Sequence, residues 1–299
     1  MAGTRLLAVV AVAAGGWTAG TPLEVPRTEV AAATLGTQIV VVGGFLSSGG
    51  NSRRVDSYDT RNGTWRRLPD LPVEVDHAAA ASWRGRVVVV GGYGSDRRPL
   101  RRAFLFDGSS WRALPSPPEE RAAAAAAATR DGRIWVVGGR TDDGLATTML
   151  VLDLERLRWS TARGPTPREH LAAAASGRLV YAVAGRKAGI DTNLPTFQAY
   201  DPRTGRWTTL PPVPSPRGGT GAAAIAGRIV SVGGEEPAGT IRSVYAYVVS
   251  QRRWRRLPDL PTPRHGLGVV ALGGRVWVLA GGPVPGLTVS GAVESLAVP

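Results

Sequence analysis

Gln38-Ile39-Val40-Val41-Val42-Gly43-Gly44 and, one short loop later, Val55-Asp56-Ser57-Tyr58-Asp59-Thr60-Arg61-Asn62-Gly63-Thr64-Trp65 decide the fold of this chain. The first stretch is a short β-branched run, the mark of a buried strand, closed by two glycines that let the backbone take positive φ as it leaves the sheet. The second is a strand, a turn that Asp59 and Asn62 can cap with their own side chains, and another strand that carries an indole. Further along, the same text returns at Gly91-Gly92, Gly138-Gly139, Ala184-Gly185, Gly233-Gly234 and Gly281-Gly282, with successive second glycines 48, 47, 46, 49 and 48 residues apart. Trp17, Trp65, Trp111, Trp159, Trp207 and Trp254 keep the same beat, at intervals of 48, 46, 48, 48 and 47. Tyr58-Asp59, Phe106-Asp107, Leu152-Asp153, Tyr200-Asp201 and Tyr247-Val248 stand just ahead of five of these tryptophans.

A period near 48 means stacked units, each too thin to bury its apolar face alone. In the first unit four strands are expected, at 29–34, 38–42, 55–59 and 64–68. The run Ala122 to Ala128 favours helix by propensity, but its register matches Val30 to Thr34, Ala78 to Ser82 and Ala172 to Ala175, so an inner strand is expected. The ends of the chain complement one another. The last unit stops after a strand near Val293 to Leu296 and lacks a fourth strand, while the segment around Trp17 is spare. Pairing them closes a ring and leaves no open sheet edge.

The combination of diglycine, Tyr-Asp and a Trp about six residues later resembles the kelch repeat. The resemblance covers nearly the whole chain, from about Trp17 to Leu296. It implies an all-β fold: a six-bladed β-propeller of four-stranded blades, closed by an N-terminal outer strand in the last blade. It implies little about chemistry, since one propeller fold hosts many functions.

In such a propeller the loops entering the inner strands and those joining second to third strands surround one mouth of the channel, the expected binding face. Arg27, Arg121, Arg168, Arg217 and Arg264 share the register at the start of the inner strands, with Val75 in the second blade, and His77, His170 and His265 lie within two positions of it. Blades four to six carry the densest polar text: Glu169 beside His170, the loop from Arg186 to Asn193, Glu235 and Glu236 after a diglycine, and His265 beside Arg264. Arg27 and Glu29 add to it from the first blade. The expected binding set is therefore Arg27, Glu29, Arg168, Glu169, His170, Asn193, Arg217, Glu235, Arg264 and His265, groups that bind polar ligands or move protons. His77, whose blade lacks the arginine, reads as structural.

The three histidines fall in different repeats and give no compact metal motif, so no metal is expected. No cofactor string is present either: Walker motifs, phosphate-cradling loops and nucleophile elbows are missing. With no cysteine, disulfides, thiolate metal sites and Cys nucleophiles are excluded. Galactose oxidase also has a kelch propeller, but its copper-radical chemistry needs a cysteine cross-link and does not carry over. The stretch from Gly234 to Arg242 is similar to a loop of bacterial sialic acid mutarotases. That likeness implies an alternative, an isomerase acting on an acidic sugar, with Glu235 exchanging a proton and Arg217 or Arg264 holding the carboxylate.

The chain of 299 residues is 43% apolar and 20% charged, with 39 Gly and 23 Pro, a composition that suits many short elements joined by turns. The net charge of +13 is almost all arginine, Lys187 being the sole lysine, and it is spread through every repeat. Without a clustered basic footprint, nucleic acid is not an expected partner. Residues 1–13 resemble a secretory leader: Arg5, an apolar run from Leu6, and Ala11-Val12-Ala13 as a cleavage site. That run is too short to span a bilayer. The expectation is a leader at 1–13 and a propeller over 14–299, exported to the medium, periplasm or cell surface, with a cytoplasmic protein as the alternative. The function expected is that of a monomeric recognition protein, not an enzyme, binding a protein, glycan or other polar or anionic ligand at the loop face.

Overall fold

Residues 16–298 are described by a computed structural model, which forms a six-bladed β-propeller. Five blades are consecutive four-stranded antiparallel sheets, the first built from Ala31–Leu35, Gln38–Val42, Val55–Asp59 and Thr64–Leu68. The sixth consists of Gly268–Leu272, Arg275–Leu279 and Val293–Ala297, completed by Trp17–Ala19. Trp17 pairs with Leu296 and Ala19 with Glu294, so the two ends of the propeller close the ring as the repeat count demands. The proposed leader at 1–13 lies outside the described residues. Among the described residues, no helix is long and apolar enough to cross a membrane.

Burial follows strand position. Second strands are covered on both faces by neighbouring blades, which is why Ile39 to Val42 and Val87 to Val90 are unbroken apolar runs. Val40 and Val42 of the first blade pack with Val87, Val89, Phe104 and Phe106 of the second, each such side chain contributing about 1.5–3 kcal/mol by leaving water. Inner strands crowd the axis and are correspondingly small: Ala125–Ala128 is extended, the repeat having overruled the helical propensity of alanine. The Glu29–Thr34 strand expected from sequence begins instead at Ala31, because Glu29 has φ of +53° and cannot continue a ladder.

Three circular sets of hydrogen bonds join the blades. At the rim, each indole Nε1 donates to a carbonyl in the segment that follows the preceding blade's outer strand or, for the fourth blade, at that strand's end: Trp17 to Pro258 at 3.0 Å, Trp65 to Thr21, Trp111 to Pro69, Trp159 to Pro115, Trp207 to Arg163 and Trp254 to Pro211. Nearer the axis, the amides of Gly44, Gly92, Gly139, Gly185, Gly234 and Gly281 donate to the carbonyls of Val75, Arg121, Arg168, Arg217, Arg264 and Arg27. This corrects one reading of the repeat: in the sixth blade the pair at positive φ is Ala280 and Gly281, not Gly281 and Gly282. A side chain is barred from the close approach itself, since a Cβ on Gly91 would stand 1.9 Å from the Arg121 carbonyl oxygen. The third ring lines the channel and defines the site.

Candidate functional site at the channel mouth

Glu29, His77, Ala123, His170, Gly219 and Gly266 occupy one register in the six blades, and all lie in the left-handed region with φ between +50° and +63°. Each backbone N–H of this register, from His77 to Gly266, donates to the carbonyl of the equivalent residue one blade back, at 2.9–3.1 Å. Val30 N–H donates to Gly266 at 3.2 Å and completes the circle. The hoop brings Glu29, His77 and His170 to the wall of a cavity of about 130 Å³ at one end of the channel. At the other end the wall is nearly all alanine, with Ala33, Ala81, Ala127, Ala174 and Ala223 around a cavity of about 220 Å³.

The left-handed turn also settles where the arginines go. Two residues ahead of the hoop, Arg27, Arg121, Arg168, Arg217 and Arg264 are at most 1% exposed and turn into their own blades rather than into the mouth. Arg27 bonds Asp56 at 2.6 Å and the Arg54 carbonyl, and Arg264 bonds Glu294 at 2.9 Å. Among the described residues Arg168 has no carboxylate partner; it donates to the carbonyls of Ala184, Thr166 and Ala182 and to Gln198. Arg217 donates to Ser215, Gly233 and Ser243. Burial pulls the guanidinium groups of Arg27, Arg168 and Arg217 down to about 10. These side chains satisfy carbonyls that a blade top would otherwise bury unpaired. Arg27, Arg168, Arg217 and Arg264 are thus corrected from mouth residues to ties within the blades. With Arg217 and Arg264 committed this way, neither is placed to hold a sugar carboxylate beside Glu235.

The remaining expected residues do come together. Glu169, His170, Glu235 and His265 gather with Glu29 around Arg186, whose Nη1 donates to Glu235 at 2.7 Å and whose Nε lies 3.6 Å from Glu169. Asn193 donates to the Glu235 carbonyl at 2.6 Å and pins the loop of blade four onto the Glu235–Glu236 hairpin of blade five. Glu235 Oε2 is 3.7 Å from His265 Nε2, which is also 3.6 Å from Glu29 Oε1.

Sequence reasoning missed His77 as a site residue, and it is central. Its Nε2 is 3.2 Å from Glu29 Oε2 and 3.0 Å from His170 Nε2, while its Nδ1 contacts the buried carboxylate of Asp76. Phe45 and Tyr93 pack edge-on against the ring. The usable signal was position alone, since His77 and His170 are equivalent in their blades. Spacing along the chain was no guide, because ring closure rather than sequence proximity joins the two imidazoles.

Electrostatically the cluster is tightly coupled. Burial alone would raise the Glu29 carboxyl, but His77, His170, His265 and Arg186 surround it and hold it down at about 2. His77 also resists burial, which by itself would lower it; Glu29 and Asp76 raise it instead. His170 is lowered, by burial first and by the neighbouring His77 charge, against the opposing pull of Glu169. Outside this core the rim carries charges of both signs: Arg97, 53% exposed, bonds Asp76 at 2.7 Å and lies 4.9 Å from the ring centroids of Phe45 and Tyr93, Arg98 pairs with Asp142, Arg140 lies 3.6 Å from Glu169, and Lys187 stands in the loop that also carries Asp191.

A six-bladed ring with this repeat chemistry defines a kelch propeller, and the comparisons agree. Residues 17–163 match the KLHDC2/KLHL20/DRC7 Kelch-repeats domain, and residues 167–214 and 216–261 each match the Kelch motif. The chain belongs to the kelch-repeat family. It is similar to Kelch-like protein terF of Aspergillus terreus, 28% identical over 75% of this chain and 53% of that protein. It is also similar to Kelch-like protein 35 of Mus musculus, 28% identical over 74% of this chain and 37% of that protein. The human Rab9 effector protein with kelch motifs is 35% identical over 34% of this chain and 30% of its own length. The chain therefore spans about half or less of these relatives. Kelch-repeat proteins generally mediate protein interactions.

Proposed function

We propose that this propeller is a recognition module whose loop face receives a polar, anionic segment of a protein partner at the mouth of the channel. The observation that carries the reading is the difference between the two ends of the channel: one holds Glu29, His77 and His170 beneath a rim of charged loops, the other an alanine tube. The inner carboxylates Glu29, Glu169 and Glu235 already face imidazole or guanidinium groups, and the cations a ligand can reach are those of the rim, Lys187 together with Arg97 and Arg140, whose exposed guanidinium groups also pair with Asp76 and Glu169. Arg97 lies 4.9 Å from the centroids of two aromatic rings and bonds Asp76, contacts that fix its geometry before a carboxylate or phosphate arrives. Val284 and Leu287, 57% and 53% exposed, stand on the same face in the loop of blade six and offer an apolar anchor beside the charged mouth. Kelch relatives with protein partners support the class of ligand, by analogy.

The test is a capture experiment with face-specific charge reversals. Arg97→Glu combined with Arg140→Glu should abolish retention of the partner that the wild type captures. Arg61→Glu combined with Arg156→Glu, on the opposite face, should leave it intact. Equal loss from both faces, or capture of a glycan in place of any protein, would defeat the reading.

A further inference from the structure

The three imidazoles at the mouth are oriented in the same way. His77 turns Nδ1 to the Asp76 carboxylate and His265 turns Nδ1 to the Gly282 carbonyl at 3.0 Å, while His170 Nδ1 points the same way, 3.4 Å from Glu169 Oε1, without making a hydrogen bond among the described residues. An acceptor at Nδ1, as at His77 and His265, sets the neutral ring in the tautomer that leaves the Nε2 lone pair free for a cation, and carboxylate–histidine pairs such as Asp76–His77 orient metal ligands. Each Nε2 then faces inward. His77 Nε2 and His170 Nε2 are 3.0 Å apart, His77 Nε2 is 3.2 Å from Glu29 Oε2, and the ligand atoms of Glu29, His77 and His170 all lie within 4.8 Å of one another. Lone pairs and a carboxylate aimed at one point repel unless a positive charge stands between them. A proton shared by two of the three relieves part of that repulsion; a cation relieves all of it.

We propose that Glu29, His77 and His170 form a binding site for one divalent transition cation of the zinc class. In a tetrahedral site with bonds of about 2.05 Å, neighbouring ligand atoms are roughly 3.3 Å apart. The two shortest separations here, 3.0 and 3.2 Å, match that edge closely, and the third, within 4.8 Å, closes to it by a turn of the Glu29 or His170 side chain. The hardness of the set fits as well, since two imidazoles and one carboxylate suit zinc and its neighbours better than calcium or magnesium, which prefer oxygen alone. The backbone hoop supplies the rigidity, because all three ligands project from residues locked at φ of +51° to +53°. The third imidazole, His265, stands 3.6 Å from the other oxygen of Glu29 and orients that carboxylate from behind. Three protein ligands leave a fourth position open towards the cavity, where solvent or an incoming acceptor completes the shell.

The chain has only three histidines and no cysteine, so a nitrogen-ligated ion has nowhere else to go. The experiment uses the full chain stripped with a chelator and titrated with zinc chloride, followed calorimetrically and by metal analysis after desalting. One equivalent is expected. His77→Ala and His170→Ala should each weaken binding at least about 100-fold, and Asp76→Asn, which removes the negative charge behind His77 Nδ1 and beside Arg97, should weaken it about 10- to 100-fold. Cobalt(II) read on the wild-type protein gives an answer even if those variants fail to fold: a four- or five-coordinate visible spectrum is expected, and a weak six-coordinate one overturns the site. Absence of binding, or retention of the ion by the His77→Ala/His170→Ala double variant as an adventitious ion only, also overturns it.

Discussion

Replacing Arg264 by methionine separates a tie within the blade from a ligand-binding arginine. The guanidinium is fully buried, 2.9 Å from Glu294 Oε2, and it also donates to the Val278 carbonyl at 3.3 Å. Glu294 Oε1 keeps two further donors, the amide and hydroxyl of Thr262 at 3.1 and 2.9 Å. Methionine fills much of the vacated volume, so the change removes charge rather than opening a large cavity. What remains is a buried carboxylate that has lost its counter-ion, and breaking such a pair costs about 3–5 kcal/mol. The two surviving Thr262 bonds place the expected loss near the lower end, about 3 kcal/mol. Glu294→Gln, which keeps an acceptor for Thr262, should cost less. The double variant Arg264→Met/Glu294→Leu should recover a large part of the loss, giving a coupling of about 2 kcal/mol in a double-mutant cycle. The assay is equilibrium unfolding in urea followed by far-ultraviolet circular dichroism, with partner capture measured on the folded variants. A loss below about 1 kcal/mol, or strict additivity in the cycle, would refute the assignment of Arg264 as an internal tie.

Other perturbations test the ring directly. Trp17→Ala should destabilise by about 3–5 kcal/mol, and by more than Trp65→Ala or Trp111→Ala, because Trp17 is the one rim indole that is fully buried and it alone joins the chain ends; equal losses in unfolding experiments would deny its closing role. Gly91→Ala should cost about 3 kcal/mol or more by forcing its Cβ into the Arg121 carbonyl, whereas Gly85→Ala, with open space around it, should cost only the left-handed penalty of about 1–2 kcal/mol. The turn carboxylates give a pH signature: bonds from Arg61 hold Asp59 down at about 2, and the Ser110 and Ser109 amides do the same for Asp107, against an ordinary value of 3.8. The unfolded chain therefore binds these protons first, so the stabilisation is present above about 3.8 and is lost as pH falls through about 2. Asp59→Asn/Asp107→Asn, which keeps the capping oxygens, should flatten that part of an acid-unfolding curve; an unchanged slope would show that other carboxylates govern it.

Blade number, strand order and ring closure could be read in the sequence because each has a local chemical cause. Glycines mark a close approach, Asp caps a turn, and an indole recurs wherever one blade meets the next. The mouth was only half legible. Arg168 and His170 are two residues apart and share a register, so sequence assigns them to one place. The left-handed turn at His170 separates them, sending the guanidinium into the sheet and the imidazole into the channel. His77 was set aside because Val75 replaces the arginine in its blade, yet the imidazole position depends on the hoop and not on that arginine. Arg186 bonds Glu235 in the next blade, 49 residues along the chain, a contact that no spacing rule would propose.

The hoop at the mouth is made of main-chain bonds alone, so its diameter does not depend on which side chains hang from it. Glu29, His77, Ala123, His170, Gly219 and Gly266 place four residue types on one backbone geometry. An aperture constructed in this way keeps its gauge while its lining is rewritten. Ala123 is the place at which new chemistry can be installed beside the imidazoles without rebuilding the wheel, whereas a Cβ on Gly266 would stand 2.6 Å from the Glu29 carboxyl and 2.7 Å from its backbone nitrogen.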